Sequence, residues 1–177
     1  MVTCWKRYVY RIPLCGDQGI DVLRSFCETA TQVVGAGSSD RPLDITQMQA
    51  AAALLLGSHD FAGFQSRGGR QSTVRTLHRC EVLEEFPSVA IVMEADGFLM
   101  HMCRILSGTL LEVGAGLRRP EQVLRIFESG NRSEAGPTLA AAGLCLEHVE
   151  HETEWSQQLS ESISLEVTWP PLPDNAT

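Results

Sequence analysis

Residues 98–114 read FLMHMCRILSGTLLEVG, and Arg104 stands there in a setting of Leu, Met, Cys, Ile, Val and Gly. A guanidinium among such residues needs a carboxylate, phosphate or carbonyl partner, because an unpaired charge in a core costs several kcal/mol. Two readings fit the spacing: an arginine at the rim of a core helix that snorkels to water, or a charge held ready for an acidic group from elsewhere. A second cationic stretch, QSRGGRQSTVRTLHRC (Gln65 to Cys80), contains Arg67, Arg70, Arg75 and Arg79 and no acid. Glycine beside arginine describes a mobile loop able to meet phosphates, or equally a loop that is simply solvated. His78 and Cys80 come nearest to a metal pattern, but no second pair follows at ligand spacing, so no metal site is expected.

The whole chain narrows these choices. With 177 residues, 44% of them apolar and 20% charged, it can bury the core of one ordinary domain. Its longest apolar stretch, Ala50 to Leu56, is far shorter than a membrane span requires, and MVTCWKRYVY has no signal-peptide apolar core. No membrane partner is expected. The six cysteines form no C-x-x-C pair and read as reduced thiols. A net charge of −8 argues against coating nucleic acid by bulk attraction. The charge is uneven, however. Residues 133–177 hold eight acids and no Lys or Arg, which leaves 14 acids against all 14 bases in residues 1–132.

Several elements must position the cations. KRYVYRI (Lys6 to Ile12) alternates with period two and reads as a strand ended by Pro13. A helix is expected over Gln18 to Val34, followed by a GAGSSDRP loop. LDITQMQAAAALLLG offers Asp44 as N-cap, Gln47 three residues on, and Gly57 as the stop of a second helix. Val74 to Leu83 and Val89 to Ala95 form a hairpin through EEFPS. From Leu99 the apolar residues Met102, Cys103, Leu106, Leu110 and Val113 recur at three- and four-residue steps until Gly114, which describes one buried helix. Gly108, one turn after Arg104, allows a close approach to that helix. A shorter helix runs from Pro120 to Gly130, and Gly143 to Val149 is a further strand. Antiparallel strands interleaved with one-faced helices predict an α+β fold with helices packed on one side of the sheet.

The segments KRYVYRI, PLDITQMQAAAALLLGSHDFAGFQS, STVRTLHRCEV, EADGFLMHMCRILSGTLLEVGAG and AGPTLAAAGLCLEHV occur in the order and spacing of the TruA family of tRNA pseudouridine synthases. The chain resembles that family from about Lys6 to Val149. Residues 1–150 then form a pseudouridine synthase C-terminal domain with an insertion at about 14–40, and 151–177 an acidic extension. The resemblance implies a mixed, largely antiparallel sheet, half of a synthase fold, crossed by an RNA-binding cleft. It also implies chemistry without cofactor or metal, in which the uridine glycosidic bond breaks, the base turns and a carbon rejoins it. Tyr8, in K-x-Y-x-Y, resembles the tyrosine that packs on the target base. Arg104 resembles the arginine that pairs with the nucleophilic aspartate, and Phe98 and Leu99 align just before it.

That aspartate lies in an R-T-D-x-G-V-H-A motif of the family's N-terminal half, and the sequence has no counterpart: Arg75-Thr76 is followed by Leu77, and Asp60 belongs to H-D-F. Met100 and Ile105 depart from the family's usual histidine and asparagine. The expectation is a chain inactive alone, with three roles open. It is a synthase half completed in trans, a non-catalytic component of a ribonucleoprotein particle such as a mitochondrial ribosome, or an interaction module whose exposed sheet edge another protein covers. Met1 and the 14–40 insertion favour a self-contained gene product. RNA, as tRNA or rRNA, is expected to bind at Arg67, Arg70, Arg75 and Arg79.

Overall fold

A computed structural model describes residues 2–13, 43–69, 72–85 and 88–152. The expected helix over 18–34, the whole of the 14–40 insertion, Arg70 and all but the first residues of the acidic extension lie outside them. Five strands, β1 (Val2–Pro13), β2 (Gly57–Asp60), β3 (Val74–Glu85), β4 (Ser88–Ala95) and β5 (Leu144–Glu152), form one sheet in the order β2-β3-β4-β1-β5. Every described pairing is antiparallel. Among the described residues three helices accompany it: α1 (Ile45–Ala53), α2 (Met102–Gly114) and α3 (Gln122–Ser129).

Alternation sorts the strand side chains between two faces. Tyr10 and Ile12 of β1 join Val82, Val89, Ile91 and Met93 and every buried apolar helix residue in one core. Val9, Ala90 and Val92 form a separate small cluster without helical members. The helices therefore cover one face, as the sequence predicts. β4 contributes to both clusters because it is central, which explains its unbroken apolar run VAIVM.

Asp44 caps α1 by accepting a hydrogen bond from the Gln47 amide at 3.0 Å. Gly57 is not the stop of that helix. α1 ends at Ala53, and Gly57, at φ +100°, opens β2, an edge strand with no β-branched residue that exists because Ser58 to Asp60 find partners on β3. α2 begins at Met102 rather than Leu99, because His101 holds a left-handed backbone (φ 61°, ψ 10°) that interrupts the helical path. Gly114 ends α2 in a right-handed conformation, and its function is proximity: a Cβ there would stand 2.5 Å from the Met48 Sδ of α1. Gly130, at φ +60°, stops α3 as expected.

Residues 135–140 run along α2 at close range. The Gly136 amide donates to Thr109 Oγ1 at 2.9 Å, the Leu139 amide to the Arg104 carbonyl at 3.4 Å. A Cβ on Gly136 would meet the Thr109 backbone at 2.5 Å, so both chains meet with hydrogen in place of side chains. Gly108 thus admits the close approach the sequence suggested, and what approaches is the backbone of Pro137.

Candidate functional site

Arg104 occupies the first turn of α2, half-buried. Its Nε donates to the Leu139 carbonyl at 2.5 Å, and no carboxylate among the described residues pairs with it. The expected acidic partner is therefore absent from this part of the chain, and a backbone carbonyl holds one edge of the guanidinium. The carbonyl is available because the residue 135–140 segment, pinned at Gly136, passes directly over the first turns of α2.

Tyr8 and Tyr10, two apart on β1, both face the helices. The Tyr10 hydroxyl donates to the Ala140 carbonyl at 2.8 Å, so the strap that holds Arg104 is itself tied to the sheet. Burial pushes the Tyr10 phenol above its ordinary range, and the Arg104 charge opposes part of that shift, which places guanidinium and phenol in mutual reach. Burial also raises the Tyr8 phenol, with Cys103 adding to it. The Tyr8 ring meets Phe98 edge-on, with centroids 5.2 Å apart and planes at 87°. Tyr8 and Phe98 are half-buried at the margin of the core, an aromatic pair with one side still open. Leu99, aligned beside them by the sequence, is buried in the core against which the pair packs. Tyr10, Leu139 and Ala140 were not singled out by the sequence, although the Y-x-Y spacing already put both tyrosines on one face.

The four-arginine series does not form one surface. Arg67 sits exposed at a turn and has no ion pair among the described residues. The strand begins at Val74, as expected, so Arg75 and Arg79 lie on β3 rather than in the loop. A register shift between Leu77 and Arg79 then reverses the alternation of β3. Arg75 lies on the helix side, where its Nη1 donates to the Val74 carbonyl at 2.5 Å. Arg79 lies on the opposite face, 2.6 Å from Glu81 and 3.1 Å from Glu94. Glu94 also takes Arg7 at 2.7 Å. Arg79 is thus neutralised by Glu81, just beyond the acid-free stretch, and by Glu94 of the neighbouring strand.

The H-D-F segment is architectural. Asp60 accepts the Ala62 amide at 2.9 Å, His59 stacks on Phe127 of α3 with centroids 4.5 Å apart, and Phe61 and Phe64 are fully buried. The loop that follows is tied to the start of α2, since the Ser66 amide donates to the Met100 carbonyl at 3.2 Å and Ser66 Oγ bonds His101 Nδ1 at 2.9 Å. Among the described residues, no three His, Cys, Asp or Glu side chains converge as metal ligands would. No described helix is long and apolar enough to cross a membrane.

The model of the tRNA pseudouridine synthase family matches residues 51–152, which contain α2, α3, Arg104 and the strap over it. The chain is 42% identical over 110 residues to tRNA pseudouridine synthase A 2 of Clostridium perfringens, covering 62% of this chain and 45% of that protein. It is 38% identical over 149 residues to tRNA pseudouridine synthase A of Moorella thermoacetica, covering 84% and 57% respectively. A third relative, tRNA pseudouridine synthase A of Chlamydia pneumoniae, is 38% identical over 128 residues, or 72% of this chain and 48% of that one. The chain spans about half the length of the curated relatives it matches. On the family match over more than half of its length, this chain belongs to the tRNA pseudouridine synthase family.

Proposed function

We propose that this chain is the arginine-bearing, RNA-contacting half of a tRNA pseudouridine synthase, active when a half carrying the nucleophilic carboxylate is supplied in trans. The observation that carries the reading is Arg104 itself. One edge of its guanidinium is fixed by Leu139, while Nη1 and Nη2 have no partner among the described residues. Guanidinium geometry suits bidentate carboxylate binding, so the fixed edge presents the free edge in one orientation. A carboxylate docked there is held ionised and aimed.

Uridine isomerisation requires the base to leave its stack, and an extruded base needs an apolar platform. Tyr8 and Phe98, at the margin of the core, provide one. Within this reading the chain binds and orients, and the covalent chemistry belongs to the carboxylate of the other half. Partners are therefore RNA and a protein that completes the sheet. The edge strand β5 offers that protein a row of backbone groups on its outer side.

The test combines this chain with the N-terminal half of a relative and follows uridine conversion in a tRNA transcript by mass spectrometry. Conversion is expected only with both chains present, and Arg104→Met should weaken their association by about 2–5 kcal/mol, the range for a desolvated charge pair. Conversion by the chain alone would remove the need for a second half. Native purification with ribosomal RNA and ribosomal proteins, and no carboxylate-bearing half, would favour the structural role in a ribonucleoprotein particle.

A further inference from the structure

The described cations divide by face. On the face without helices, Arg7, Arg11 and Arg79 are all engaged by Glu94, Glu85, Glu147 and Glu81. Arg118 is engaged by Glu112 at 2.9 Å. Arg119 and Arg125, in contrast, have no carboxylate or carbonyl partner for their guanidinium groups among the described residues, and both line one open groove of about 640 Å³. The groove lies where the first turns of α1 and α3 come together, with Gln47 on one wall and Pro120, Glu121 and Gln122 on the other. Gln122 Oε1 accepts the Arg119 amide at 2.7 Å, which leaves its NH2 group as a donor.

The groove is connected to the candidate cleft by contacts already described. At its far end α3 packs on the turn at Ala62–Phe64, where a Cβ on Gly63 would stand 2.6 Å from Ile126. Arg67 follows that turn, and Ser66 beside it bonds Met100 and His101 at the head of the Arg104 helix. The eight residues of α3 span an axial length of ~12 Å. Unneutralised guanidiniums thus flank α3 on the helix side, while the opposite face offers none of its arginines.

Resting on the RNA reading above, we infer that the α1–α3 groove is a second contact for the substrate, gripping the sugar–phosphate backbone outside the cleft. Two guanidiniums and two side-chain amides suit phosphate oxygens and ribose hydroxyls and carry no base-reading geometry. Glu121 opposes the attraction and limits the site to one or two phosphates. The contact adds affinity and register rather than sequence specificity.

The test is a salt titration of the whole chain binding an unmodified tRNA transcript, with the Arg119→Gln/Arg125→Gln double variant beside it. Both positions are exposed, and thermal melts check that the variant is folded. The slope of log affinity against log salt should fall by about 1.5, from ~0.7–0.9 per lost phosphate contact, and Glu121→Gln should tighten binding. Tight wild-type binding with an unchanged slope in the double variant overturns the groove and leaves the RNA reading standing. No binding of the transcript by the wild-type chain at any salt overturns both. If a decaglutamate peptide binds as tightly as the transcript and is lost in the double variant, the groove belongs to a protein partner and the inference fails.

Discussion

Gly108 of α2 lies against the Pro137 carbonyl so closely that a Cβ would fall inside the oxygen's van der Waals envelope. The contact is backbone on backbone, and neither side can rotate away. Gly108→Ala should therefore destabilise the fold by about 1–2 kcal/mol, although alanine favours helices, because an overpacking cost of up to ~3 kcal/mol outweighs the propensity gain of ~1 kcal/mol. Urea unfolding measures this. A variant as stable as the parent would show that the 135–140 strap is free to move.

Glu94 links two strands by taking Arg7 and Arg79 together. Burial pushes its carboxyl up, but the hydrogen bonds from Arg7 and Arg79 outweigh that and hold it below the usual carboxylate range. The stabilisation is present above the unfolded value of about 4.3 and is lost as pH falls through the lower folded one. Glu94→Gln should cost about 1–2 kcal/mol at neutral pH, with the gap from the parent closing in acid. A gap that stays constant between neutrality and strong acid contradicts the pairing.

Tyr10 ties the strap to the sheet through Ala140. Tyr10→Phe should cost about 1 kcal/mol and speed amide exchange at Leu139, loosening the group that fixes Arg104. Because burial raises the folded phenol, the opposing Arg104 charge notwithstanding, Tyr10 contributes stability fully below the unfolded value of about 10, and that contribution is lost as pH rises through the folded one. The phenylalanine variant should lack this alkaline loss.

His101 adopts a left-handed backbone while its ring holds Ser66. Relief of that conformation in His101→Gly is worth ~1 kcal/mol, and the exposed hydrogen bond lost is worth about the same, so stability should change by less than about 0.5 kcal/mol. Trypsin cleavage at Arg67 should nevertheless accelerate, since the loop loses its tether. Unchanged cleavage would mean that the Ser66 amide bond to Met100 suffices alone.

What the sequence determined by itself was local. The Asp44 cap, the β3–β4 hairpin, the period-two tyrosines of β1 and the Gly130 stop each depend on residues a few positions apart, where propensity and spacing act directly. The family motifs around Arg104 were legible for the same reason. Tertiary structure decided what depends on partners distant in the chain. β2 exists through β3 rather than through its own residues, Gly57 opens that strand instead of stopping a helix, and Gly114 ends α2 as expected while also letting Met48 of α1 pack against it. Arg79 left the cationic series because one register shift turned it toward Glu94, 15 residues away. Arg104 received a carbonyl 35 residues distant, because two glycines let a strap cross α2 at backbone contact, a closeness that no local pattern encodes.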